Sequence, residues 1–221
     1  MSRWEIRIAT LIGAIVVGLT PPTTTAAEQP GLAIATLETL PVKGRAPKTG
    51  YSRDQFGQAW ADVNRNGCDT RNDILKRDLT VVVYKGGTRN CVVLSGTLLD
   101  RYSGETINFI RGNVTSMEVQ IDHVVALSNA WQTGAFKLTA DQRKALANDP
   151  MNLFAVKGRL NSQKGDGDAA TWLPPLMSFR CAYVAQQIAV KAKYSLWVVP
   201  PEKAAMLSIL AKCPTQKLPV S

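Results

Sequence analysis

Three stretches decide the fold: Val119-Gln120-Ile121-Asp122-His123-Val124-Val125, Asn152-Leu153-Phe154-Ala155-Val156 and Gly158-Arg159-Leu160-Asn161-Ser162-Gln163-Lys164. From Glu118 to Leu127 the chain is apolar and β-branched, which suits a buried strand, and only Asp122-His123 interrupts it. Asn152 to Val156 reads as a second short strand, and Gly158 to Lys164 as a turn and helix start. Between the strands lie a short helix near Ser128 to Thr133 and another that starts at Thr139. Gln142, three residues after Thr139, completes a capping-box pattern, and Pro150 stops that helix. A polar pair inside an apolar strand needs a partner or a job, because a desolvated polar group without one is costly.

Working outward, Tyr51 to Ala61 has helical spacing, with Phe56 and Trp60 four apart. A loop from Asp62 to Gly67 leads into a helix over Thr70 to Asp78. Leu79 to Tyr84 and Cys91 to Leu98 are expected strands joined at Lys85-Gly86-Gly87, and Glu105 to Arg111 alternates like a third. Two helices, Cys181 to Lys193 and Pro201 to Lys212, close the chain. Residues 28–50 carry scattered Pro, Gly and Lys with weak periodicity and read as a loosely ordered lead-in. The expectation is one α+β domain over 51–215.

With 45% hydrophobic and 19% charged residues in 221, the chain is neither disordered nor membrane-embedded throughout. Its net charge of +9 favours polyanionic partners such as nucleic acid. The first residues have the form of an export signal: Arg3 and Arg7, an apolar run from Ile8 to Leu19, then Pro21-Pro22 and the small pair Ala26-Ala27. That run is shorter than the roughly 20 residues that span a bilayer. Cleavage after about Ala27 is therefore expected, leaving a secreted, extracellular chain of charge +8 with no stable membrane anchor.

Cys68, Cys91, Cys181 and Cys213 form no C-x-x-C pair, so zinc ribbons and thioredoxin-like sites lack support. An even count in an exported chain suggests two disulfides, with three connectivities open. Pairing Cys68 with Cys91 and Cys181 with Cys213 closes two local units.

His123 is the single histidine, which removes multi-His zinc sites and any mechanism that needs two imidazoles. Downstream, the order Asp122-His123, Asn152-Leu153, then Asn161-x-x-Lys164 resembles the HNH superfamily. More narrowly, it resembles exported HNH proteins related to the C-terminal domain of GmrSD-type restriction endonucleases. The segments Asn66-Gly67-Cys68-Asp69-Thr70-Arg71, Ala130-Trp131, Asn148-Asp149-Pro150 and Lys164-Gly165-Asp166 also resemble that branch, so the likeness runs from Tyr51 to Cys213.

The resemblance implies a ββα-metal (HNH/His-Me finger) core elaborated with extra helices and a small antiparallel sheet. It implies hydrolysis of phosphodiester bonds in DNA, with RNA a further candidate. His123 would be the general base, since a neutral imidazole of ordinary pKa about 6.5 accepts a proton from water at physiological pH. Asp122 and Asn161 would offer oxygen donors to Mg²⁺ or Mn²⁺, a hard cation acting as Lewis acid. Asn152 would orient the imidazole. Lys157, Arg159 and Lys164 are candidate phosphate contacts. Asn161 stands where many HNH proteins have His, and an amide oxygen favours Mg²⁺ or Mn²⁺ over Zn²⁺. With no recognition helix or zinc finger, little base specificity is expected, and nothing calls for a small-molecule cofactor.

Asp62, Asn64, Asn66 and Asp73 fall at positions 1, 3, 5 and 12 of an EF-hand-like loop, which makes a structural Ca²⁺ a second metal candidate. The competing reading is an Asx-rich turn with a helix cap. The rival to an enzyme is a non-enzymatic, basic secreted protein that binds nucleic acid or anionic envelope polymers.

Overall fold

The Asp-His strand and the strand that follows it form a two-stranded antiparallel hairpin in the computed structural model. The structure describes Met1 and residues 31–220 apart from Val114; the expected export signal over 1–27 otherwise lies outside the described residues. In chain order come α1 (Ala33–Thr39), α2 (Thr70–Asp78), β1 (Leu79–Tyr84), β2 (Val93–Leu99), β3 (Thr106–Ile110), β4 (Val119–His123) and α3 (Leu127–Gln132). Then follow α4 (Ala140–Ala147), β5 (Leu153–Lys157), α5 (Gly158–Lys164), α6 (Arg180–Lys193) and α7 (Pro200–Leu210). The chain is a mixed α+β protein with one three-stranded sheet, β1-β2-β3, and the β4-β5 hairpin.

In the hairpin Asp122 sits opposite Phe154, and His123 opposite Leu153. Side chains alternate along a strand, and both faces of the hairpin are buried. Val119, Ile121, Leu153 and Ala155 pack on α2 and the three-stranded sheet, through Ile74, Leu75, Leu98 and Phe109. Phe154 and Val156 pack the other way, with Val124, Leu160, Tyr102 and Tyr183. That is why β4 reads as nearly unbroken apolar sequence instead of alternating. Each fully buried large apolar side chain contributes about 1.5–3 kcal/mol.

Polar contacts clamp the hairpin at its edges. Arg77 at the end of α2 donates to the carbonyls of Pro150 (2.8 Å) and Leu153 (2.6 Å), and the Asp78 carboxylate accepts from Ala155 N–H at 2.9 Å. Asp100 accepts from Lys157 N–H at 2.9 Å. At the start of α5 a Cβ on Gly158 would lie 1.9 Å from the Met117 carbonyl oxygen, so only glycine lets this helix pass so close to the approach to β4.

Two expectations are corrected. The lead-in is not loose: α1 buries Ala33 and Leu37 against Val184, Ile188, Met206 and Ile209 of α6 and α7. Its Ala and Leu residues supply a short apolar face that weak periodicity hid. Tyr51 to Ala61 is not a helix either. Only a 3-10 turn forms at Arg53–Phe56, because Gly57 (φ 71°) and Trp60 (φ 57°) turn the backbone left-handed. Phe56 nevertheless packs inward, near Trp131 and Leu146.

The pairings Cys68–Cys91 and Cys181–Cys213 are formed. The first ties the loop before α2 to the entry of β2, and the second clips the start of α6 to the end of α7. Thr139 and Gln142 complete their capping box. No helix among the described residues is long and apolar enough to cross a membrane.

Candidate active site

His123 ends β4 and is 9% exposed. Its Nε2 lies 2.8 Å from the carbonyl oxygen of Ala147, the last residue of α4. A carbonyl only accepts, so Nε2 carries the hydrogen and Nδ1 keeps its lone pair. Burial pushes the imidazole pKa down to about 4, with smaller contributions from the cations Arg53 and Lys164 and an opposing one from the Ala147 bond. The ring is therefore neutral at physiological pH, the protonation state a general base requires. The indole of Trp60 lies near-parallel to it, at 17° with centroids 6.1 Å apart. Together they line a cavity of about 250 Å³ with Arg53, Phe56, Leu127 and Asn148.

Asn152 is wholly buried and does not bond the imidazole. Its Oδ1 accepts from Val125 N–H (2.8 Å), and its Nδ2 donates to the carbonyls of Val125 and Leu146 (both 3.3 Å). Its backbone carbonyl accepts from Val124 N–H at 2.8 Å. Asn152 thus fixes the chain leaving His123 and the residue beside Ala147.

Asp122 points to the opposite face of the hairpin from His123. It is buried, with Oδ1 2.9 Å from Lys164 Nζ and Oδ2 2.5 Å from the Tyr102 hydroxyl. Burial pushes its carboxyl up, against the pull of Lys164 and of the Tyr102 hydroxyl. The same ammonium donates to the His123 carbonyl at 2.7 Å. Lys164 is therefore not a surface phosphate contact. Its side chain is fully enclosed, because α5 lays it along β4 against the one carboxylate there. Asn161, one turn earlier, donates from Nδ2 to Gln120 Oε1 at 2.8 Å. Gln120 and Asp122 share a strand face, so Asn161 and Asp122 look into the same seam between β4 and α5.

The donor types in that seam, a carboxylate and an amide oxygen, suit a hard cation. Their arrangement does not fit a preformed cage, because both Asp122 oxygens are already engaged and an ammonium occupies the cationic place. Among the described residues no three His, Cys, Asp or Glu side chains cluster as a metal site. Of the other candidate phosphate contacts, Lys157 pairs with Glu105 at 2.6 Å, while Arg159 is exposed.

The Asp62–Asp73 loop is closed by its own groups. Asp62 accepts from the N–H groups of Asn66 (3.1 Å) and Gly67 (2.9 Å), and Asn64 Oδ1 from Asn66 N–H at 3.2 Å. Asn66 turns its Nδ2 toward Asp73, at 3.0 and 3.2 Å from the two oxygens. The helix expected before this loop is only the 3-10 turn, so the EF-hand frame lacks its first helix. Asp69 caps α2 by accepting from Asn72 N–H at 2.8 Å.

Sequence reasoning missed Tyr102, Trp60 and Ala147 as neighbours of the pair. Tyr102 lies 20 residues from Asp122 in a turn after β2, and a backbone carbonyl leaves no trace in sequence at all.

The family model described as GmrSD restriction endonucleases, C-terminal domain, matches residues 69–209. A protein of Arthroderma benhamiae described as an uncharacterized secreted protein is 38% identical over 208 residues, covering 92% of this chain and 97% of the relative. No solved structure matches. The matched span runs from the cap of α2 to the last turn of α7 and takes in Asp122, His123, Asn152, Asn161 and Lys164, and on that extent the chain belongs to the family of GmrSD restriction endonuclease C-terminal domains.

Proposed function

We propose that this chain is an exported nuclease that hydrolyses phosphodiester bonds of DNA, with RNA as the alternative substrate, and that His123 is its general base. The observation that carries the reading is the His123–Ala147 bond. It places the Nε2 hydrogen on the carbonyl, while burial keeps the imidazole neutral, so the Nδ1 lone pair is available to take a proton from water. Membership of a family named for restriction endonucleases supports nucleic acid as substrate. The net charge of +9 supports a polyanion. A secreted relative and two disulfides support an extracellular location.

Use of Mg²⁺ or Mn²⁺ is part of the proposal and rests on donor chemistry: Asp122 and Asn161 are the residues to hold it, as in the ββα-metal reading of β4, β5 and α5. Bound there, the ion would supply Lewis-acid stabilisation of the phosphate. Its charge competes with Lys164 for Asp122. A structural Ca²⁺ at Asp62, Asn64, Asn66 and Asp73 is a separate proposal, which needs the Asn66 amide to turn its oxygen inward.

The closed Asp122–Lys164 pair favours the second reading, a basic secreted protein that binds nucleic acid without cutting it. A plasmid-nicking assay with Mg²⁺ or EDTA separates the two. Cleavage that EDTA and His123→Ala each abolish supports the nuclease. Salt-sensitive binding with no cleavage in any divalent ion overturns it.

A further inference from the structure

The cavity beside His123 has a chemistry that phosphate hydrolysis alone does not call for. At about 250 Å³ it is smaller than the roughly 300–1,000 Å³ clefts that take drug-sized molecules, and it suits one heteroaromatic ring system. Trp60 contributes an aromatic surface, and its backbone stands at φ 57°, a conformation that costs a non-glycine residue energy and persists only when its surroundings impose it. Phe56 and Leu127 add apolar wall. Arg53, exposed at the rim, supplies a guanidinium.

Asn148 is the independent sign of a ligand. It is 1% exposed and lines the cavity, yet its Oδ1 has no hydrogen-bond partner. Its Nδ2 is committed to the carbonyls of Lys144 (2.9 Å) and Gln58 (3.4 Å), which fixes the amide so that oxygen is the unsatisfied end. A buried acceptor without a donor loses about 1–3 kcal/mol. What it lacks is a hydrogen-bond donor.

We infer that this cavity receives a single unpaired nucleobase of the strand being cut, stacked on Trp60, with its exocyclic amine donating to Asn148 Oδ1 and the adjoining phosphate on Arg53. The inference rests on the nuclease reading and deepens it. A base can enter only when it is out of the duplex stack, so single-stranded or locally opened DNA is preferred. An amine-bearing base, adenine, cytosine or guanine, is preferred over thymine.

Two measurements on the full chain test this. The first compares cleavage of single-stranded oligonucleotides that carry adenine, purine (adenine without its amine) or thymine at the bases flanking the cut. Adenine is expected to exceed the other two about tenfold in kcat/KM. Trp60→Ala is expected to raise KM about 5- to 150-fold, the range for losing one base–aromatic stack, and Trp60→Phe to restore part of it. Equal rates on adenine and purine together with an unmoved KM in Trp60→Ala overturn the inference. The second is calorimetric titration with dAMP and with base-free deoxyribose 5-phosphate. Binding of dAMP alone, weakened by Trp60→Ala, supports the base site even if no nucleic acid is cleaved, in which case only the nuclease reading falls. Equal binding of both molecules overturns the base site and leaves the nuclease reading standing.

Discussion

Lys164 Nζ lies 2.9 Å from Asp122 Oδ1 inside the seam between β4 and α5, with neither side chain more than 4% exposed. Each charge is tolerated there only because the other is present. Lys164→Met leaves a buried carboxylate with Tyr102 as its one side-chain partner and no opposing charge, and is expected to lower unfolding stability by about 3–5 kcal/mol. Urea denaturation monitored by circular dichroism measures it. Repeating the titration in Mg²⁺ asks whether a divalent ion replaces the ammonium, in which case stability returns as the ion is added.

Buried, neutral His123 makes the fold sensitive to acid. Its folded pKa, about 4, lies below the ordinary 6.5, so protons bind the unfolded chain more readily. The stability it confers is fully present above pH 6.5 and is lost as pH falls from 6.5 toward 4, a loss on the order of 3 kcal/mol. His123→Gln keeps a donor for Ala147 and cannot titrate. In EDTA-containing buffers, wild-type melting temperature should drop more steeply over that window than the variant's, and parallel curves would contradict the assignment.

Lys191 and Glu202 form a second enclosed pair, at 2.7 Å between α6 and α7. Burial pulls the lysine down and pushes the carboxyl up, each opposed by the partner's charge. Glu202→Gln strands the ammonium and is expected to cost about 3–5 kcal/mol, whereas Lys191→Met with Glu202→Leu should cost much less. A double-mutant cycle in urea gives the coupling directly.

Asn152→Ala removes three side-chain hydrogen bonds in the interior and leaves the Val125 and Leu146 groups unpaired. A loss of about 2–3 kcal/mol in stability is expected, together with reduced nicking activity at temperatures where the variant is still folded. On the proposed role of Asn152 in placing the imidazole, kcat should fall more than KM rises. The reverse pattern would assign it to substrate binding.

The Cys181–Cys213 bridge closes a 32-residue separation in sequence. Replacing both with Ser should cost about 3–4 kcal/mol by chain entropy, read as a lower urea midpoint, with α1 losing its seat against α6 and α7 before the hairpin opens.

Local patterns made much of the fold legible. The β-branched runs at 79–84 and 119–123, the Thr139–Gln142 cap and the start of α5 each act over a few residues, and each forms as expected. Tyr51 to Ala61 failed because helical spacing of Phe56 and Trp60 is a necessary sign, not a sufficient one: Gly57 and a left-handed Trp60 redirect the backbone. α1 was missed because seven residues are too few for periodicity to speak, and its helix is held by packing on distant α6 and α7.

Sequence alone determined the secondary structure near the motif, the α+β class, and the residue types that could do acid–base and phosphate chemistry. Tertiary structure decided which of them meet. Strand alternation sent Asp122 and His123 to opposite faces of one hairpin, and helix α5 carried Lys164 inward to neutralise Asp122. A carbonyl 24 residues away set the tautomer of the imidazole. Such contacts depend on how separate elements pack, and packing is a property of the folded whole that no short window of residues encodes.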